Sequence, residues 1–159
     1  MKKLQIDESQ AKKLYKTASK EFKQILHDTF GEAFFSEKIT DRIKGIDDVF
    51  EELGTTYEQV VPWKNPKNKK QKSQNALALI QCITEVYNEG VELDWYNPNQ
   101  PKYYSWFEKK ALGGGWVFGC CCCGYAGADV GFSCYFTKEE NCKDAVKKFM
   151  SIYKDYLPE

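Results

Sequence analysis

Arginine and histidine are almost missing from this 159-residue chain: Arg42 and His27 are the only ones. Arginine is the residue of choice for forked and stacked contacts with nucleic acid, so its scarcity argues against a dedicated nucleic-acid binder. A single histidine, in a predicted helix far from any cysteine, leaves no Cys-His pair for nucleophilic catalysis. Charge of one sign is missing too. Lys and Arg total 23, Asp and Glu total 23, and the formal net charge is zero. That balance excludes a globally basic nucleic-acid coat and an acidic tail protein. No apolar run approaches the roughly 18 residues that a membrane helix requires. Lys2 and Lys3 are followed by Leu4-Gln5-Ile6-Asp7, which breaks off before a signal core forms. The expectation is a cytoplasmic protein with no membrane partner. A length of this order predicts one domain, and such a domain buries about 70% of the surface its unfolded chain exposes, so it needs no staples.

Cysteine is what the sequence has in unusual supply. There are seven, an odd number, and four of them run consecutively from Cys120 to Cys123. Without a secretion signal the thiols are expected reduced. On an extended strand Cys120 and Cys122 point one way, Cys121 and Cys123 the other. Cys120 and Cys123 have CxxC spacing, and Cys134 and Cys142 follow, so a zinc-stabilised domain with these four ligands is one reading. The second pair is separated by a strand end and a helix start, which is not finger or ribbon spacing. The competing reading is a buried strand in which cysteine acts as a small hydrophobe. No cofactor is otherwise expected.

Local signals lay out the elements. Asp7 with Gln10, then Ser19, cap two helices running to Thr17 and Phe30, and Gly31 stops the second. Residues 32–45 are mixed. Ile46, Val49, Phe50 and Leu53 form one helical face ended by Gly54, and residues 55–59 start another turn before Pro62. Residues 64–72 hold five lysines and no acid and are expected to form a loop, with a long helix over 73–89 behind it. Trp116 begins a strand to Cys123, after a strand candidate at 103–107, and residues 130–136 are a third. Thr137 with Glu140 has capping-box form for a last helix to about residue 156. The predicted fold is α+β: N-terminal helices, one long central helix, a small antiparallel sheet of three or four strands, and a C-terminal helix packed on the sheet. It is read as one domain over 1–159, helical over about 7–90, with the sheet and last helix over about 91–157.

The chemistry available is limited. Asp47-Asp48 and Glu51-Glu52 are the densest carboxylates, and the helix pattern accounts for them. Asp94 stands beside Trp95, where a large ring can raise a carboxyl pKa, but no second acid has a partner's spacing. Gly113-Gly114-Gly115 lacks the lysine and the following helix of a phosphate loop. The best candidate surface is aromatic. Eight rings fall between Asp94 and Phe118, among them Trp95, Tyr103, Tyr104 and Trp106. Lys102 lies among them, and Lys69 and Lys70 in the basic segment extend a positive track. Such rings stack bases for about 1–3 kcal/mol each in single-strand binders. They equally well build a core between sheet and helices, or a protein-binding face.

Three stretches together carry a resemblance. They are Lys38-Ile39-Thr40-Asp41-Arg42-Ile43-Lys44 with Asp47-Asp48 and Leu53-Gly54; Asn88-Glu89-Gly90 leading to Asp94-Trp95 and Lys102-Tyr103-Tyr104-Ser105-Trp106-Phe107; and Phe136-Thr137-Lys138-Glu139-Glu140. From about residue 10 onward the chain resembles a family of uncharacterised proteins of gut Bacteroides-type bacteria and their phages or prophages. Members usually carry proline where this chain has Ser105, and they lack the four-cysteine run. The resemblance implies a bacterial cytoplasmic setting on mobile DNA and a non-enzymatic accessory module with a protein partner. It assigns no catalytic residue. Single-stranded nucleic-acid or nucleotide binding and a zinc-stabilised domain stand as the alternatives, and the oligomeric state is left open.

Overall fold

Side-chain caps open the first two helices. Asp7 accepts from the Gln10 N–H at 2.8 Å and starts α1 (Glu8–Thr17); Ser19 accepts from the Phe22 N–H at 3.3 Å and starts α2 (Lys20–Phe30). Both caps stand where the sequence places them. Gly31 ends α2 at φ 83°, a conformation that favours glycine, and α3 (Glu32–Phe35) follows. Tyr15, His27 and Phe35 form a three-ring cluster: the Tyr15 centroid lies 5.2 Å from that of His27 and 4.3 Å from that of Phe35, which are 5.5 Å from each other, and the Tyr15 hydroxyl lies 2.8 Å from His27 Nε2. The sole histidine is thus held in an aromatic cluster. The computed structural model describes residues 6–35, 38–110, 113–125 and 132–158. It divides into two compact units, residues 1–38 and 39–159.

The second unit begins with α4 (Ile39–Arg42), α5 (Ile46–Leu53) and α6 (Tyr57–Val60). Asp48 Oδ2 reaches back to the N–H groups of Lys44 and Gly45 at 2.7 and 2.9 Å, satisfying donors at the start of α5. Gly54 closes α5 in the left-handed region at φ 64°, ψ 37°. The long helix, α7 (Lys69–Tyr87), starts one turn earlier than predicted. Asn68 accepts from the Gln71 N–H at 3.0 Å while Gln71 Oε1 accepts from the Lys67 N–H at 2.6 Å. That reciprocal cap draws Lys69, Lys70 and Lys72 out of the expected loop and into the first turn.

The sheet is an antiparallel hairpin, β1 (Lys102–Lys109) with β2 (Trp116–Gly124), registered from Lys102 opposite Gly124 to Lys109 opposite Trp116. Trp106 faces Cys120 and Phe107 faces Phe118, so Gly119 is the extra residue of a bulge. Among the described residues the sheet has these two strands and not three or four. Of the expected third strand, Val130 and Gly131 lie outside the described residues, and Phe132–Cys134 is a 3-10 turn. Phe136 alone pairs, in a single bridge with Tyr103 at N···O distances of 2.9 and 2.7 Å. The cause is Asn88 at the end of α7. Its Nδ2 donates to the Tyr135 carbonyl at 2.9 Å and its Oδ1 accepts from the Thr137 N–H at 2.8 Å. The segment is fastened to α7 instead of running along β1.

The same bond removes the predicted Thr137 cap. The last helix, α8 (Glu139–Tyr156), has Lys138 at its N-cap and no side-chain capping bond there. α8 packs on α7 and on one face of the hairpin. Ile80, Ile83 and Tyr87 of α7 meet Cys142, Val146, Phe149 and Tyr153 of α8, with Val49, Ile43 and Phe136 closing the core. No described helix is long and apolar enough to cross a membrane.

Candidate functional site

Strand alternation sorts the hairpin side chains into two faces. The inner face carries Ser105 opposite Cys121 and Phe107 opposite Phe118, against α8. Ser105 Oγ lies 3.4 Å from Cys142 Sγ, and the Phe107 ring lies 5.2 Å from that of Tyr153. The outer face carries Tyr104 opposite Cys122 and Trp106 opposite Cys120. Beyond the Tyr103–Phe136 bridge no described strand pairs with the outer edge of β1. Antiparallel alternation directs the backbone of Ser105 to the same edge as that of Tyr103.

A groove with a volume of about 530 Å³ runs along this edge. Tyr104, Trp106 and Trp116 line it from the hairpin, Tyr135 from the turn, and Tyr153, Tyr156 and Leu157 from the end of α8. Trp106 is 52% exposed, unusually open for a residue of its size. The Tyr153 hydroxyl is buried beside the Ser105 hydroxyl and makes no well-formed hydrogen bond among the described residues. Burial raises its pKa, so it stays a neutral donor. Lys109 Nζ sits 5.8 Å from the Trp116 ring centroid, and the Trp116 Nε1–H donates to the Pro158 carbonyl at 2.5 Å. A shallower hollow next to the groove shares Tyr156 and Leu157 and is lined by Lys69 and Lys70.

The residues singled out in the sequence are dispersed. Trp106 and Tyr104 line the groove; Lys69 and Lys70 line only the neighbouring hollow, and Lys69 Nζ donates to the Lys154 carbonyl at 3.2 Å, near the end of α8. Tyr103 packs on the core. Trp95 sets its edge on Tyr135, centroids 5.4 Å apart, and lines a separate hollow with Glu85 and Asn88. Asp94 is exposed, and its carboxylate accepts from the Tyr96 N–H at 2.9 Å, closing a turn. Lys102 is only 1% exposed. Its ammonium donates to the carbonyls of Asn97, Gln100 and Tyr125 at 3.3, 3.0 and 2.6 Å and lies over the Trp95 ring. It presents no charge to solvent. Arg42 is likewise committed, to Glu89 at 3.3 Å and Glu52 at 3.6 Å. Tyr135, Trp116, Tyr156 and Leu157 complete the groove without having been singled out as site residues. They come from three separate parts of the chain, and the one sequence signal of the three rings is aromatic content.

The zinc set does not assemble. Cys120 and Cys123 are three apart on a strand and so point to opposite faces. Cys142 is fully buried, and burial holds its thiol and that of Cys121 above the ordinary range. Among the described residues no three His, Cys, Asp or Glu side chains are grouped as a metal site requires. Comparison with protein-family models, with curated proteins and with solved structures returns no match.

Proposed function

We propose that this chain is a non-enzymatic binding module that takes an extended peptide segment of a partner protein along the open edge of β1. The observation that carries this reading is the joining of a strand edge, which no described strand pairs beyond the Tyr103 bridge, to an aromatic groove. Main-chain donors and acceptors give a strand-like peptide its ladder, and the pockets between rings select its alternate side chains. Tyr104, Trp106 and Tyr156 offer large apolar area at low entropic cost. The buried Tyr153 hydroxyl offers a donor for a carbonyl. Lys70 in the neighbouring hollow and Lys109 beside Trp116 favour a segment whose apolar residues are flanked by carboxylates. An accessory role on a mobile element, as the sequence resemblance implies, is compatible with such a module.

The test is selection of random peptides displayed on phage against the full chain, followed by titration of the enriched peptides. The expected winners combine aromatic or aliphatic residues at alternate positions with a nearby acid. Trp106→Ala and Tyr104→Ala each weaken them at least tenfold. Enriched peptides that bind both variants as well as the parent would place the interaction elsewhere. Quenching of tryptophan by a thymidine oligonucleotide, lost steeply with salt, would transfer the groove to single-stranded nucleic acid and end the peptide reading.

A further inference from the structure

We infer that Cys120 and Cys122 form a redox-active dithiol, a pair that closes to an intrastrand disulfide by exchange with a small-molecule disulfide. The inference does not depend on what occupies the groove. The two Sγ atoms lie 3.0 Å apart on the outer face of β2, opposite Trp106 and Tyr104. Cys120 is exposed and Cys122 partly so. Residues two apart on a strand have Cα atoms separated by about 6.6 Å, within the roughly 4.4–6.8 Å that disulfides span. The thiols already lean together, but a disulfide also holds its Cβ atoms about 3.5–4.5 Å apart, so closure puckers β2 locally and the bond formed is a readily reducible one.

Strand alternation directs the neighbouring thiols of β2 away from this pair. Cys121 points inward, near Cys142, and both are shielded by the core. Cys123 is exposed, but strand alternation places it on the face opposite to the pair, across from Tyr103. The alternation of the strand thus pairs each outer thiol with one partner. The hydrogen bond to Cys120 is the main cause that pushes the Cys122 thiol up to about 11. Cys120, the more exposed of the two, is the attacking thiol, and Cys122 holds its proton until the second step.

The exchange balances without any further reactant. The Cys120 thiolate attacks one sulfur of oxidised glutathione, forming a mixed disulfide and expelling one glutathione thiolate. Cys122 gives up its proton and attacks the Cys120 sulfur, forming the Cys120–Cys122 bond and expelling the second glutathione. The protein loses two electrons and two protons, and two molecules of glutathione thiol carry them away.

The full chain, reduced and freed of reductant, would be incubated with oxidised glutathione, then denatured for thiol counting and mass spectrometry. The titratable thiols should fall from seven by two, with no glutathione retained. Cys122→Ser should accumulate a glutathione adduct on Cys120, because the resolving thiol is gone. Cys120→Ser should lose thiols at least tenfold more slowly, and Cys123→Ser should close like the parent. A parent chain that retains glutathione, fails to react, or links two molecules would overturn the inference. So would a Cys120→Ser variant that closes as fast as the parent.

Discussion

Tyr87 is fully buried, yet its hydroxyl donates to Asp144 Oδ2 at 2.7 Å. The same carboxylate pairs with Lys148 at 2.6 Å, and Lys148 also donates to the Thr40 carbonyl. One phenol thus ties α7 to α8 through a polar contact at the margin of the core. Burial first, and the bond to Asp144 second, hold this phenol protonated well above its ordinary range. In the unfolded chain it ionises near pH 10, about the value for free tyrosine. The contribution to stability is therefore complete below pH 10 and is lost as pH rises above it, because only the unfolded state releases the proton. Tyr87→Phe should flatten the alkaline fall in stability by up to about 1.4 kcal/mol per pH unit above pH 10. Urea midpoints of parent and variant across that range would show it. Equal slopes would mean that Tyr87 ionises in the folded chain.

Between α7 and the hairpin the decisive link is one amide. Asn88 satisfies the Tyr135 carbonyl and the Thr137 N–H together, so the 3-10 turn and its bridge to Tyr103 hang from the end of α7. Asn88→Ala should cost about 2 kcal/mol, since it leaves two backbone groups to find other partners. Amide exchange at Phe136 and Thr137 should rise with it, and unchanged protection there would show that the turn has other support. This amide also marks where the sequence stopped being legible. The helices were readable because Asp7, Ser19, Gly31 and Gly54 act on their own neighbours, and each stands at the boundary it signals. The hairpin was readable because Trp116 and the cysteines alternate between faces. Residues 130–136 have strand-like composition, and Thr137 has the form of a cap. Both readings were overridden by a side chain more than forty positions away. The site was half legible for the same reason. Aromatic content pointed to Tyr104 and Trp106, while Lys102 looked like a surface charge until the turn at 97–100 enclosed it.

Across the molecule, both apolar clusters draw every member from the unit spanning 39–159. The groove residues belong to that unit too. A fragment of residues 39–159 should therefore unfold in one cooperative transition and retain the peptides selected against the full chain. A fragment that melts without a transition would show that residues 1–38 complete its core. The molecule's charge is balanced overall but not along its strands. From Trp116 to Gly124, β2 carries no charged residue and no proline, and no described strand covers its outer edge. Natural sheets protect such edges with charge, proline or a covering element. Here the bulge at Gly119 is the protection the strand itself supplies. An edge of this composition, where no described strand covers it, is a template for another copy of itself. A single lysine on the outer face of β2 should therefore lower self-association in concentrated solution more than several on the helices, as light scattering would show.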